Sequence, residues 1–360
     1  MNTERLISTF CELVKIPSES PNDQEFISYI DKFLKIEGAK TKLDAYGNLV
    51  VRFKEKKSKN KTPIAFCCHA DTVSPGKNIK PIVDRENGII KSDGTTILAA
   101  DDKAGIAEII EMIRASEKHP PIEIIITRNE EIGSLGAKNL DFSLIESKNA
   151  YVLDMDAPDE LVIGEATHIH MDVTYTGKSA HSGVEPENGV SSILAVAEAL
   201  HNMKLGRIDA QSTSNVGTIQ GGEARNSIPE ITKLMAECRS LDHKKALSIA
   251  NEMENTFKKA AQSTNTKVEI VRNIISNGYS IPEDSDIVKL FATALKKNDI
   301  IPNIQQITAG TDAGLFNEKG INSVVVGIGC RKIHTKDEYA IISEMEKITN
   351  TLITLVEDLA

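Results

Sequence analysis

Hydrophobic and polar positions follow two different periods along this chain. Near-continuous apolar runs, as at 62–68 and 121–127, alternate with segments of helical spacing, as at 102–118. Apolar strands separated by helices are typical of a parallel sheet that is covered on both faces. The pattern predicts an α/β architecture up to about residue 167, and the same pattern returns near the end of the chain.

The middle of the chain has a different pattern. Residues 169–177 alternate like a half-exposed strand, a helical segment follows, and two candidate strands, a long helical segment and a last strand complete the region. The order β-α-β-β-α-β is that of a split, ferredoxin-like unit. We therefore predict an inserted α+β domain at 168–277 within an α/β domain formed by 1–167 and 278–360.

Composition narrows the classes of function. The chain has 360 residues and a net charge of −10, which argues against a nucleic-acid or anionic-membrane partner. No apolar run approaches the roughly 20 residues of a spanning helix. The first 17 residues predict an amphipathic helix of the mature protein and not a signal peptide. Five cysteines, an odd number, suggest reduced thiols and a cytoplasmic location.

Chemically reactive side chains stand where the predicted strands end. His69 and Asp71 follow an apolar run and share one face, because strand positions i and i+2 point the same way. Further acidic or histidine positions follow other strands or precede a helix, and they are Asp101, Asp102, Glu130, Glu131, Asp154 and His334. Each alone has an ordinary alternative, such as a helix cap, a solvated acidic pair or a polar loop residue.

Their common placement favours a metal site. Carboxylates that converge at one sheet edge repel each other unless a cation neutralises them. Two histidines with several carboxylates suit zinc or a similar divalent ion, and the number of ligands suffices for two ions with a bridging carboxylate. A pair of ions activates water and polarises a carbonyl group. The sequence thus predicts a dinuclear metallohydrolase, and a minor role of Cys330, close to His334, stays open.

Five motifs in order resemble a known family. HADTV, AADDKAG, RNEEIG, VLD and IHTKDE, spread over residues 69–334, are similar to the motifs of the co-catalytic zinc metallopeptidases. That family includes peptidase T, carboxypeptidase G, succinyl-diaminopimelate desuccinylase and aminoacylase. Within it, DDKAG, EEIG and GTDAG are most similar to peptidase T and its tripeptidase relatives. In the family the inserted domain serves as lid and dimerisation surface, so the resemblance also implies a homodimer.

The resemblance implies a role for each position of the site. His69 and Asp154 would bind one ion, Glu131 and His334 the other, and Asp101 would bridge them. Asp71 would accept a hydrogen bond from His69, and Glu130 would be the general base. The ions would be two divalent cations per subunit, zinc first, with cobalt or manganese as alternatives. A cis peptide bond between Asp101 and Asp102 is also implied.

Substrate contacts are implied in the same way. His181 would help to stabilise the oxyanion in the partner subunit's site, Asn226 would contact substrate, and Arg239 would bind the substrate carboxylate. Thr311 belongs to a turn that resembles a substrate-contacting one, although Ala309 stands where relatives often have Gly. We interpret His168 and His170, despite their ligand-like spacing, as structural.

Three functions remain to be compared. The first is an aminopeptidase that acts on short peptides, with tripeptides first. The second is a carboxypeptidase or N-acyl-amino-acid hydrolase of the same family. Asp154 favours the first, because in the family Asp here tends to accompany aminopeptidase or dipeptidase activity. The third is a non-catalytic binding protein, whose signature would be a missing base or ligand, and none is missing.

Overall fold

The computed structural model describes residues 1–360, and the chain divides into two compact units. The first unit comprises Met1–Gly164, Ser280–Gln305 and Thr311–Ala360, and the second comprises Glu165–Tyr279 and Gln306–Gly310. Gln306–Gly310 belongs with the second unit, although the predicted boundaries placed it in the first. A hydrogen bond ties this segment to the second unit, because the Arg239 guanidinium donates to the Thr308 carbonyl at 3.1 Å.

The first unit contains most of the helices and strands. Its helices are α1 (Thr3–Leu13), α2 (Gln24–Ile36), α3 (Ala100–Ala115), α4 (Leu135–Lys138), α7 (Asp286–Lys297), α8 (Asp312–Glu318) and α9 (Ile342–Asp358). Its strands are β1 (Lys40–Leu43), β2 (Leu49–Phe53), β3 (Ile64–His69), β4 (Ile82–Asp84), β5 (Ile89–Lys91), β6 (Ile122–Thr127), β7 (Asn149–Met155), β14 (Asn322–Gly327), β15 (Cys330–Arg331) and β16 (Tyr339–Ile341). The amphipathic α1 was predicted, and its apolar side buries Leu6, Phe10 and Leu13.

The main sheet of this unit has the strand order β1-β2-β6-β3-β7-β14. β3 runs parallel to β6 and β7, and β7 runs parallel to β14, so four neighbouring strands point the same way. Every residue of β3 and β6 is buried, as expected for a parallel sheet that is covered on both faces. The predicted α/β class is confirmed, and four strands end at one edge of the sheet.

The second unit contains the inserted elements. They are most of β8 (Glu160–Thr176), then α5 (Ser192–His201), β9 (Gly206–Asp209), β10 (Ser212–Gly221), β11 (Ile231–Ser240), α6 (His243–Ser263) and nearly all of β12 (Lys267–Ser280), while β13 (Asn303–Ile307) extends into its last segment. β12, β8, β11 and β10 are neighbours in that order, which is the strand order of a ferredoxin-like sheet. Ile169, Met171, Val173 and Tyr175 alternate along β8 and join residues of α5 and α6 in an apolar core.

Two further properties concern the whole chain. None of its helices combines the length and the apolar character that crossing a membrane requires. All five cysteines are free thiols, and four of them are buried.

Candidate metal centre

The predicted ligand residues come from the carboxyl ends of the parallel strands. His69 is the last residue of β3, Asp154 lies near the end of β7, and Glu131 follows β6. His334 follows β14 and β15, and Asp101 lies in the first turn of α3. Open α/β sheets bind ligands at this edge, because the chain leaves each strand there in a loop.

Three of these side chains form a first group. The Nε2 atom of His69 lies 2.9 Å from Asp101 Oδ1 and 3.7 Å from Asp154 Oδ1. Ligand atoms that are each 2.0–2.2 Å from a tetrahedral zinc lie about 3.3–3.6 Å from one another. His69, Asp101 and Asp154 therefore have the spacing of a divalent-ion site.

A second group shares one residue with the first. The Nε2 atom of His334 lies 3.2 Å from Asp101 Oδ2 and 3.0 Å from Glu131 Oε2. Asp101 thus directs one carboxylate oxygen to each group. The structure brings all five predicted metal ligands together as two groups joined by one carboxylate. Cys330 belongs to neither group, and its Sγ contacts Asp156 Oδ1 at 3.9 Å.

Asp71 holds the turn that carries the two glutamates. Its carboxylate accepts hydrogen bonds from the backbone N–H of Glu130 at 2.8 Å and of Glu131 at 3.2 Å, and also from Ser20 Oγ. The predicted hydrogen bond from His69 is present, but the acceptor is the backbone carbonyl of Asp71, 2.9 Å from Nδ1. The Asp71 carboxylate is 3.7 Å from that nitrogen. The bond at Nδ1 fixes the orientation of the His69 ring, so that Nε2 faces the two carboxylates.

A carboxylate that the sequence motifs did not single out, that of Glu338, supports Asp101. Glu338 is buried, and its two oxygens accept hydrogen bonds from the backbone N–H groups of Leu98, Ala99, Ala100 and Asp101 at 2.7–3.2 Å. It therefore fixes the backbone just before α3. The available signal was an acidic residue four positions after His334, in the segment IHTKDE.

Asp102 supports the other side of the centre. Its carboxylate accepts the backbone N–H of His69 at 3.0 Å, and the peptide bond that joins it to Asp101 is cis, as predicted. A side chain at Gly105 would begin 2.5 Å from Asp102 Oδ1 and 2.9 Å from Leu153 Cβ. This position therefore needs glycine, because α3 packs closely against the strand ends.

The electrostatics of the centre favour a bound cation. Burial raises the pKa of Asp154 to about 7. The hydrogen bonds to Asp101 and Glu131 raise the pKa of His334 to about 10. Burial alone would raise the pKa of Asp101, but the bonds from His334 and His69 outweigh burial and hold it well below its usual range. The carboxylates thus attract positive charge strongly, as a cation site must.

Glu130 has surroundings unlike those of Glu131. Its Oε1 accepts a hydrogen bond from Ser134 Oγ at 2.9 Å, and burial raises the pKa of its carboxyl group well above the usual value. Glu131 contacts His334, whereas Glu130 is in neither ligand group. Two adjacent glutamates therefore present one carboxylate to the ligand cluster and one beside it.

The predicted substrate residues are distributed over both units. His181 and Asn226 lie on exposed loops of the second unit, which are joined by a hydrogen bond from the Ser182 N–H to the Asn226 carbonyl at 3.0 Å. Arg239 is half-buried on β11. Thr311 belongs to the first unit, where its side chain caps α8 by accepting the N–H of Ala313 at 3.1 Å.

The fold and the paired ligand groups define an α/β protein with a candidate dinuclear metal centre. Residues 65–358 match Peptidase family M20/M25/M40, and the chain belongs to this family. The predicted resemblance to metallopeptidases is thereby confirmed. The family match, together with similarity to an aminopeptidase and a tripeptidase, makes this chain a peptide hydrolase.

Three relatives illustrate the similarity. The crystal structure of aminopeptidase PepT from Bacillus cereus ATCC 10987 is 34% identical, covers 100% of this chain and 99% of its own, and has a TM-score of 0.93. The structure of a tripeptidase from Staphylococcus aureus subsp. aureus Mu50 is 31% identical with the same coverage and a TM-score of 0.96. Peptidase T of Listeria monocytogenes serotype 4b (strain CLIP80459) is 26% identical over 97% of both chains.

Proposed function

We propose that this protein is a dinuclear metallo-aminopeptidase that removes the first residue from short peptides, with tripeptides as preferred substrates. The observation that carries the proposal is the pair of histidine–carboxylate groups that share Asp101. The similarity to an aminopeptidase and a tripeptidase over nearly the full length of each chain supports the choice of substrate.

The residues present fit two divalent ions. His69 and Asp154 would hold one, Glu131 and His334 the other, and Asp101 would bind both. Glu131 Oε1 is buried and lacks a hydrogen-bond partner, although a buried carboxylate oxygen normally has one. Imidazole and carboxylate ligands without a thiolate suit zinc, with cobalt or manganese as substitutes.

Glu130 carries the proton transfers. Bound ions would supply Lewis-acid activation of water and polarisation of the peptide carbonyl group. Glu130 would take the proton from the attacking water and later give it to the leaving amine. Burial raises the pKa of Glu130, which makes its carboxylate a stronger base than that of an ordinary glutamate. Two hydrogen bonds orient Glu130. Ser134 donates one to its carboxylate, and its backbone N–H donates the other to Asp71.

Residues of the second unit would bind the substrate and recognise its C-terminus. We assign Arg239 to the C-terminal carboxylate of the peptide, since a guanidinium binds a carboxylate at two points. Its own contacts support a fixed position, because Thr308 O and Glu237 Oε2 accept its N–H groups at 3.1 and 3.2 Å. We assign His181 and Asn226 to the oxyanion and the substrate backbone, and Thr311 to a substrate-contacting turn.

A substrate panel tests the activity. Metal-loaded protein is assayed on free tripeptides, N-acetylated tripeptides and N-acyl amino acids, and the released products are identified by mass spectrometry. We expect release of the first amino acid from free tripeptides and little turnover after N-acetylation. Faster hydrolysis of N-acyl amino acids, or release of the last residue, would replace this proposal with the deacylase or carboxypeptidase alternative.

We further propose a cytoplasmic homodimer in which His181 of one chain serves the site of the other. The free cysteines support a reducing location, and the exposed position of His181 on its loop supports action outside its own chain. Mixing chains that carry His181→Ala with chains that carry Glu130→Gln tests this. A mixed dimer would regain one complete site, so activity should reappear in the mixture, and a mixture as inactive as its parts would refute exchange of His181.

A further inference from the structure

The open face of the second unit carries a histidine pair outside the candidate centre. His168 and His170 lie two residues apart on β8, so their side chains leave the same face of the strand. The alternating residues Ile169 and Met171 point the other way, into the apolar core. Glu237 on the antiparallel strand β11 pairs directly with His170. A residue opposite in the ladder lies within side-chain reach, so the three form one cluster.

The distances within this cluster are those of metal ligands. His168 Nε2 lies 2.7 Å from Glu237 Oε2, His170 Nε2 lies 3.1 Å from His168 Nε2, and His170 Nε2 lies 3.8 Å from Glu237 Oε2. Ligand atoms around a tetrahedral zinc are about 3.3–3.6 Å apart. Changes of about 0.2–0.9 Å in these separations would place all three atoms around one ion. The candidate centre in the first unit shows a similar spread, from 2.9 to 3.7 Å around His69.

The cluster is also accessible. The His170 side chain is 45% exposed and that of Glu237 is 30% exposed. Both line a cavity of about 320 Å³ on this face, together with Asp172 and Asn215. An ion could enter from solvent, and water could complete its coordination.

The charge nearest to the cluster is a guanidinium. Arg239 donates to the same Glu237 oxygen at 3.2 Å. A carboxylate has two oxygens and about four acceptor positions, so Glu237 can bind an ion while it keeps this ion pair. The donor set selects the kind of ion, because two imidazoles and one carboxylate suit zinc and its transition-metal neighbours better than magnesium or calcium.

We propose that His168, His170 and Glu237 form a further binding site for a zinc-like divalent ion, located in the second unit. This revises the interpretation of the two histidines as structural, which took no account of Glu237. The site has three protein ligands and an open position, and it uses none of the residues assigned to the candidate dinuclear centre.

Counting bound ions tests the site without recourse to activity. Full-length protein is stripped with a chelator, dialysed against buffered zinc, and its metal content is measured by mass spectrometry. The wild type should hold one more ion per chain than the double variant His168→Gln/His170→Gln. The control is His201→Gln, an exposed histidine on α5 of the same unit, which should keep the wild-type count.

Three further measurements make the result decisive. Circular dichroism of the metal-free proteins checks folding, which we expect to be retained because the substituted residues lie outside the apolar core. The single variant His170→Gln leaves the bond between His168 and Glu237 in place, and it should weaken the extra ion by about tenfold or more. Cobalt can replace zinc as the added ion, and its visible absorption then reports on each site. Loss of one component of this absorption in the double variant would support the site. Equal ion counts in the wild type and the double variant would show that the three side chains bond only one another.

Discussion

The two units of this protein place charged groups in opposite ways. In the first unit, buried positions include ionisable side chains such as Lys103, Glu108 and Glu338, besides those of the candidate centre. In the second unit the core is apolar, and the buried acidic residue Glu165 lies at its first position. A parallel sheet that is covered on both faces has room for chemistry only at its strand ends, whereas an antiparallel sheet with one open face can carry it along the strands.

The carboxyl groups of the two units also differ in the direction of their pKa shifts. Glu237 is partly exposed on the open face, and although partial burial would raise its pKa, Arg239 and His168 outweigh burial and lower it. Asp154 in the first unit is buried, and its pKa rises to about 7. A partly exposed carboxylate can be stable with its protein neighbours alone, but a buried cluster of carboxylates requires a cation. We therefore expect the first unit to depend on metal far more than the second.

The largest expected effect concerns Glu130. Glu130→Gln keeps the size of the side chain but removes the group that accepts the proton, so kcat should fall by roughly 10²–10⁴-fold. Metal content should stay near that of the wild type, because Glu130 belongs to neither ligand group. Steady-state kinetics and metal analysis of the same preparation measure both quantities.

The neighbouring residue gives the matched control. Glu131→Gln should lower metal content as well as activity, because its Oε2 lies 3.0 Å from His334 Nε2 within a ligand group. If the two variants lose metal equally, the division of roles between the adjacent glutamates is wrong.

Removal of metal should destabilise the first unit selectively. A ligand that binds only the folded state stabilises that state by about 4 kcal/mol when its concentration is 1,000 times its dissociation constant. Chelation should therefore raise the rate of backbone amide hydrogen exchange in the segments after β3, β6 and β15. The exchange rates of β8 and β11 should stay unchanged. The comparison is made in the His168→Gln/His170→Gln background, so that the second unit has no ion to lose. Equal deprotection of both units would contradict the contrast between them.

Arg239 tests whether the open face of the second unit takes part in recognition. Arg239→Ala should lower kcat/KM on free tripeptides by about tenfold or more, where each tenfold corresponds to about 1.4 kcal/mol. Tripeptides amidated at the C-terminus lack the charge, so the wild type should cleave them poorly and the variant should lose little more. Arg239→Lys should restore only part of the activity, because lysine lacks the planar fork.

The same assay has a clear contrary result. If the wild type cleaves amidated and free tripeptides equally well, Arg239 does not bind a carboxylate, and the preference for tripeptides weakens with it.

The sequence singled out the candidate ligand residues because each stands after an apolar strand or at the start of a helix, and the resemblance of the ordered motifs implied their roles. It did not predict how the backbone presents them. Glu338 accepts four backbone N–H groups beside Asp101, and His334 adopts a left-handed φ of 62°, which is uncommon for a residue other than glycine. The contacts of Glu338 join segments that lie far apart in the sequence and meet only in the fold. Glu237 was missed for the same reason, because its pairing with His170 is a property of sheet register.

The smallest expected effect concerns the buried lysine of the first unit. Lys103 is fully buried, its Nζ donates to the Ile16 carbonyl at 2.6 Å, and it lies 4.6 Å from the Phe26 ring centroid. Burial lowers its pKa from 10.5 to about 7, although Glu338 opposes this shift. Between these two values the unfolded chain binds a proton that the folded chain does not. The free energy of unfolding should therefore rise with pH across this window, by at most about 1.4 kcal/mol per pH unit.

Lys103→Met removes this contribution while it keeps a long side chain in the same space. Urea unfolding of metal-loaded protein at several pH values across that window should show a smaller increase of stability with pH in the variant than in the wild type. The slope is the decisive quantity, because the lost bond to Ile16 shifts stability at every pH alike. Lys244→Met, an exposed position on α6 of the second unit, should keep the wild-type slope. Identical slopes for Lys103→Met and the wild type would mean that Lys103 stays charged in the folded protein, and that the first unit tolerates a buried cation there without a change of protonation.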